Sequence, residues 1–315
     1  MKKSFYIFIL LLTPNLTFGQ DTLTGYRVPW LWPFSQNSIW NQPIGNDAIY
    51  SEANLEDANN VGIDIQHLLE LSDSYPMRDV LGTEVWGPGR CEGTQFLGFT
   101  LQIPDSWIVP DAGDSPYGLT PNSNFAFRLP NSDTVFEGSQ VTRCIEGGAV
   151  YMPIWMQYPK NRHYQSIKGN GIEGGGQGAS GMSSLGGTMR LGELTGEKPI
   201  RHAIKINPWG KKYCFYHDTL PGYKWPAQSA DHYAEDNYEG TDPNIVMGSL
   251  FAIPPDIHVD SIGLTTIAGR KLFFTMQNYG VYFTEDAAWD TWDIIIERDA
   301  ELEFETMYGF SMSSE

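Results

Sequence analysis

Asn124-Phe-Ala-Phe-Arg-Leu129, Pro130-Asn-Ser-Asp133 and Thr134-Val-Phe-Glu-Gly-Ser-Gln-Val-Thr142 follow one another in the middle of the chain. Alternating bulk on either side of a Pro-Asn-Ser-Asp run reads as two strands around a turn. Residues 149–158, 202–206, 212–217 and 292–297 repeat the alternation, and each predicts a strand. Helical spacing is scarcer. Residues 65–71 predict two turns of helix. Residues 267–278 predict a longer one, with Ile267, Ala268, Leu272, Phe273 and Met276 on one stripe, Thr265-Thr266 before it and Gly280 after it. Strands joined by Gly- and Pro-rich turns predict an all-β fold. The expected form is a β-sandwich or jelly-roll-like single domain with a few peripheral helices.

Composition agrees with that class. The 315 residues include 33 Gly, 20 Pro, 16 Phe, 16 Tyr and 10 Trp, with only 18% charged side chains. A disordered acidic chain or a coiled coil would look different. The net charge of −18 argues against nucleic acid as a partner, since that needs a basic footprint. Lys2 and Lys3 precede a short apolar run from Phe5 to Leu12, and Gly19 offers a cleavage point. Residues 1–19 therefore read as a signal peptide and 20–315 as one secreted domain, with no membrane span expected. Export permits disulfides, and Cys91, Cys144 and Cys214 allow one intramolecular pair with one thiol left over.

Charge is unevenly spread. Between Arg143 and Lys224 there are eleven basic residues against five acidic ones, interleaved with Tyr151, Trp155, Tyr158, Tyr164, Trp209, Tyr213, Tyr216, Tyr223 and Trp225. A cleft built from this window would draw an anion despite the global charge. Aromatic faces would pack on sugar rings while guanidinium groups take carboxylates. Core packing and scattered surface charge explain any one of these residues equally well.

Two motifs stand out within the window. Residues 169–194 contain glycine at a density that suits a mobile loop or a close backbone approach. They lack the Gly-Lys-Ser/Thr of a phosphate loop. Arg190 and Glu193 at the end of this stretch form either a site pair or a structural ion pair. The second motif, Pro199-Ile-Arg-His-Ala-Ile-Lys-Ile-Asn207, places His202 beside Arg201. A histidine there serves either as a hydrogen-bonded core residue or as a proton carrier.

Ser38-Ile-Trp-Asn41, Gly186-Gly-Thr-Met-Arg-Leu-Gly-Glu-Leu194, Ile200-Arg-His-Ala-Ile204, Tyr223-Lys-Trp-Pro-Ala227, Met247-Gly-Ser-Leu-Phe251 and Gln277-Asn-Tyr-Gly280 are spread over residues 33 to 285. In combination they resemble a broad, mainly uncharacterised set of secreted bacterial proteins. The resemblance implies a single secreted domain and carries no catalytic residues with it.

The residues themselves predict a carbohydrate-active carbon–oxygen lyase. Its partner would be an acidic, uronic-acid-containing polysaccharide or oligosaccharide of the alginate, ulvan or pectin type, cleaved or dehydrated by β-elimination. Such chemistry needs a group to neutralise the carboxylate, a base for the adjacent proton and an acid for the leaving oxygen. Arg190 or Arg143 would meet the carboxylate, His202 would be the base, and Tyr151 or Tyr213 the acid. Arg201, Lys205, Trp155, His163, Tyr164, Trp225 and Glu193 would bind substrate. Two alternatives stand beside this: a glycoside hydrolase using a pair drawn from Glu137, Glu146 and Glu193, or a non-catalytic glycan-binding surface protein. No cofactor is expected. Nor is a metal: His217-Asp218 and Asp231-His232 are the only close ligand-type neighbours, and the acidic run 233–242 lacks EF-hand spacing.

Overall fold

In the computed structural model, which describes residues 29–114, 122–158 and 163–314, the turn at 130–133 joins two antiparallel strands. Strand β4 (Phe125–Arg128) faces β5 (Thr134–Gly138) with Phe127 opposite Phe136. The remaining strands are β1 (Asn60–Glu70), β2 (Met77–Thr83), β3 (Gln95–Gln102), β6 (Val150–Pro153), β7 (His163–Ser166), β8 (Ile204–Pro208), β9 (Leu250–Phe251), β10 (Val281–Phe283) and β11 (Thr291–Glu297). Eight of them form a sheet in the order β7-β5-β4-β1-β11-β8-β10-β9, and β3-β2-β6 form a second. The helices are α1 (Gly210–Tyr213), α2 (Ala234–Asn237), α3 (Ile267–Asn278) and α4 (Ala300–Tyr308). The described chain is mainly β, as its composition suggests. The pairing is mixed, however: β1 runs parallel to both β4 and β11, β8 to β10, and β2 to β6. Jelly-roll strands pair antiparallel.

Alternation along β4 and β5 divides the interior. Phe125, Phe127 and Phe136 belong to a core with Val80, Leu97, Leu101, Val150 and Met152, so the small sheet packs on that face. Ala126 and Val135 point the other way, into a larger core with Trp40, Leu185, Met189, Ile204 and Ile206.

Helix α3 spans the residues its periodicity marks, with the Thr266 hydroxyl accepting from Gly269 N at 3.0 Å. Gly280 behind it takes φ 81°, the left-handed region that stops a helix. Two local expectations are corrected. Residues 65–71 are not helical, because they continue β1, which is hydrogen-bonded to β11 along its first half and β4 along its second. Ile65, Leu68 and Leu69 imitate a helical stripe at i, i+3 and i+4, and the buried Gln66 and His67 break the apolar–polar alternation that marks a strand. Residues 212–217 do not form a strand either. Lys212 and Tyr213 close α1, while Phe215 and His217 make isolated bridges only.

Cys91 and Cys144 are bonded, and Cys214 is a buried free thiol. The bridge closes a loop across a sequence separation of 53. By chain entropy, a Cys91→Ser/Cys144→Ser variant is expected to lose about 4 kcal/mol of stability. Its urea midpoint, compared with that of the oxidised protein, checks this. The leader at residues 1–19 lies outside the described residues. No helix among the described residues is long and apolar enough to cross a membrane.

Candidate active site

The glycine-rich run is neither loose nor exposed. Residues 182–190 are buried, and the segment lies against the large sheet. Glu137 of β5, fully buried, accepts from the Ser183 hydroxyl at 2.8 Å and from the backbone N–H groups of Ser184 and Leu185. Lys205 of β8, also fully buried, donates to the carbonyls of Ser183 and Ser184 at 2.9 and 3.0 Å. One turn of backbone is thus held through its amides by a carboxylate and through its carbonyls by an ammonium. Glycine is required here by close approach: a Cβ on Gly176 would collide with the Ser184 side chain, and one on Gly186 with the Trp40 ring.

That clamped segment forms one wall of a cavity of about 770 Å³. Gly174, Gly175, Gly178 and Gly181 contribute bare backbone to it. Gln177 faces it, accepting from Asn124 and donating one amide N–H to Gln66. Trp86, Trp155 and Trp289 line the opening and are each nearly half exposed. Gln228, Ser229, His232 and Tyr233 complete one side, and His163 another.

Five carboxyl groups line the same space: Asp64, Asp231, Glu285, Asp286 and Asp293. None forms an ion pair with a described residue, and no described Arg or Lys lines the cavity. Glu285, two residues beyond the end of β10, accepts from the backbone N–H groups of Gly178 and Ala179. Burial pushes its carboxyl well above the usual range, the charge of Asp231 adds to the rise, and the two backbone bonds oppose it. Asp231 accepts from Tyr238 at 2.6 Å and is raised by burial. Asp286 accepts from Gly210 N at 2.5 Å and Tyr233 at 2.9 Å, and burial raises it to about 6. Asp293 accepts from Thr291 at 2.8 Å, with burial and neighbouring Asp64 lifting it to about 7. Carboxyls held near neutrality in a Trp-lined cavity are the material of acid–base chemistry.

Of the residues singled out from the sequence, Trp155 and His163 line this cavity, and burial lowers the His163 pKa. The others are placed elsewhere. Arg190 is buried, its guanidinium bound to Glu297 at 2.8 Å and to the Trp30 carbonyl, with its plane over the Trp30 ring. Arg143 is enclosed beneath the small sheet, donating to the carbonyls of Pro104, Trp107 and Gly148. Tyr151 belongs to β6 and bridges to Thr142, while Tyr213 donates to Asp290 at 2.9 Å. Tyr164 packs on Phe136 with ring centroids 5.1 Å apart. Arg201 is half-buried beside Tyr279, and Trp225 is exposed; neither lines the cavity. Lys205 and Glu137 act from behind the glycine-rich wall, and Glu146 is exposed. The basic window therefore does not assemble into an anion-binding cleft among the described residues: Arg143, Arg190 and Lys205 are buried within the fold, while Lys168, Lys198 and Lys211 are exposed and do not line the cavity. Lys160 and Arg162 lie outside the described residues.

His202 and Glu193 do meet, with Nε2 at 3.0 Å from the carboxylate and Nδ1 at 2.9 Å from the Ala203 carbonyl. Both ring nitrogens face acceptors, which suits the imidazolium. Burial pulls the histidine pKa down, but the Glu193 charge and hydrogen bond outweigh it and leave it raised. Burial likewise pushes Glu193 up, and His202 brings it below its ordinary value. The histidine contribution is complete below 6.5 and fades as pH rises through the folded value; the glutamate contribution is complete above 4.5 and fades as pH falls. Wild-type stability is therefore expected to gain most from this pair between those limits. A His202→Gln variant should flatten the curve of urea midpoint against pH.

The segments around Trp40, Gly186 and Ala203 are structural as well. The Ala203 N–H donates to the Trp40 carbonyl, the Trp40 ring lies over Gly186 and Gly187, and Asn41 binds the carbonyls of Pro33 and Ser35. They tie the N-terminal segment, the glycine-rich wall and β8 into one knot. The cavity carboxyls are what sequence reasoning missed. The available signal was Glu285-Asp286 closing an apolar strand three residues before Trp289.

Compared with protein-family models, with curated proteins and with solved structures, the chain matches none of them.

Proposed function

We propose that the protein is a carbohydrate-active enzyme that hydrolyses a glycosidic bond, with Glu285 and Asp231 as its carboxyl pair. The observation that carries this reading is the set of raised, cation-free carboxyls inside a cavity edged by three half-exposed tryptophans. Tryptophan faces hold sugar rings while carboxyls move protons. Glu285, anchored by two backbone N–H groups and raised most strongly, keeps its proton and delivers it to the leaving oxygen as the C–O bond breaks. Asp231, fixed by Tyr238, carries the charge and activates water or attacks the anomeric carbon. Burial and mutual repulsion favour one shared proton on such a pair.

β-Elimination from a uronate, the chemistry first expected from the sequence, has less support. His163 and Tyr233 can supply a base and an acid, but no Arg or Lys among the described residues lines the cavity to meet the carboxylate, and five carboxyls repel a uronate. Export fits the reading as part of the same proposal: the leader-like residues 1–19 precede a chain with a disulfide, a bond that persists in oxidising compartments.

The test is a panel of neutral, amino-containing and uronate-containing glycans, followed by reducing-end formation, absorbance of unsaturated uronates and mass spectrometry. New reducing ends with addition of water are expected. Unsaturated products would transfer the assignment to elimination with His163 as base. Binding without any product would make the cavity a glycan-binding site.

A further inference from the structure

Resting on the reading of this cavity as a glycan site, we propose that its substrate carries protonated amines, and that Asp64 and Asp293 form the subsite that takes one of them. The two aspartates come from neighbouring parallel strands. Gly62 of β1 is paired with Asp293 of β11, and Asp64 lies two residues further along the same face of β1. The missing side chain at Gly62 makes the room: a Cβ there would collide with the Asp293 carboxylate. Both aspartates line the cavity and both are more than nine-tenths buried.

Their hydrogen bonding is incomplete in one direction. Asp64 Oδ2 accepts from Asn122 at 3.0 Å and from Asn207 at 2.9 Å, whereas Asp64 Oδ1 is buried with no partner. Asp293 Oδ1 has the Thr291 hydroxyl. A buried carboxylate oxygen with no donor costs free energy, and two neighbouring carboxylates without a cation repel each other. A shared proton relieves this in part; a ligand ammonium relieves it better, because it brings a full charge and three donors. The charge of Lys205 reaches Asp64, but its ammonium is directed to the carbonyls of Ser183 and Ser184.

Sugar amines fit the remainder of the cavity. The three tryptophans provide faces for pyranose rings, which a simple inorganic cation would not use. Among the described residues no three His, Cys, Asp or Glu side chains are grouped as the ligands of a metal ion, and calcium requires six to eight oxygens. The substrate class is therefore a glycan with free amino groups, in preference to its N-acetylated or uronate counterparts.

The experiment is calorimetric binding of a glucosamine pentamer, the N-acetylglucosamine pentamer and a uronate pentamer to the wild-type protein at about physiological salt, where exposed charges are largely screened. The free-amine pentamer is expected to bind about tenfold or more tighter than the acetylated one, as a desolvated charge pair allows. Asp293→Asn and Asp64→Asn should each erase most of that preference, while the exposed-site controls Glu52→Gln and Asp79→Asn leave it intact. Equal binding of the acetylated pentamer to the wild type would overturn the proposal without any variant. So would a preference that survives Asp293→Asn, tighter binding of a lysine pentapeptide, or binding of calcium chloride that needs Asp293. Binding of the amine without cleavage would leave this inference standing and remove the hydrolase reading. Cleavage of neutral glycans without amine preference would do the reverse.

Discussion

Glu285→Gln is expected to lower turnover of the glycan identified by the panel by about 10²–10⁴-fold, the range for removing a positioned proton donor. The glutamine keeps the shape, and its carbonyl still accepts one of the two bonds from Gly178 and Ala179, so the wall of the cavity is retained. Its thermal unfolding should remain close to wild type. Asp231→Asn should fall by a similar factor, because the asparagine neither carries the charge nor takes the proton. If the two groups act as a unit, the double variant will be little worse than either single one. The pH profile gives an independent check. The wild-type acid limb reports the ionised member and the alkaline limb the protonated one, and Glu285→Gln should remove the alkaline limb from whatever activity survives. Wild-type turnover by either single variant would remove the pair from the mechanism.

Breaking the clamp behind the cavity is expected to have the largest effect on stability. Glu137 and Lys205 are each fully buried, and burial lowers the lysine pKa to about 7 even with Glu137 opposing the shift. Removing one partner strands the other charge in a low-dielectric interior, which costs about 3–5 kcal/mol. Glu137→Gln and Lys205→Met should each lose about that much, measured as urea midpoint and slope. The double variant is expected to lose clearly less than the sum, because it leaves no unpaired charge. Additive losses would mean that the two groups do not act on one another through the turn at residues 183–185. The distinction reaches function, since that turn holds the backbone wall whose Gly178 and Ala179 amides fix Glu285.

The local order of the chain is readable where short-range spacing, caps and turn residues agree. Helix α3 and the β4–β5 hairpin follow directly from apolar period, cap and turn chemistry. Strand β1 reads as helix because Ile65, Leu68 and Leu69 fall at i, i+3 and i+4, while its polar Gln66 and His67 are buried and give no in–out alternation to count. The glycine-rich segment was readable as a place of close approach. The partner in that approach was not, because Trp40, Glu137 and Lys205 come from three distant parts of the chain. The candidate site was less legible still. Arginines among aromatics advertised an anion site, yet Arg190 and Arg143 are buried and bound internally, to Glu297 and to backbone carbonyls.

By itself, the sequence determined strand-rich structure, the position of α3, one disulfide with one leftover thiol, and a backbone that must pack closely around residues 169–194. These depend on residue type and short-range spacing, which a linear pattern records. Tertiary structure decided the parallel pairing of β1, the pairing of Cys91 with Cys144, and the gathering of Asp64, Asp231, Glu285, Asp286 and Asp293 around one cavity. The physical reason is that a carboxyl's role depends on what surrounds it. Burial and the neighbouring charges raise Glu285 and Asp293, and those neighbours stand tens to hundreds of residues away along the chain.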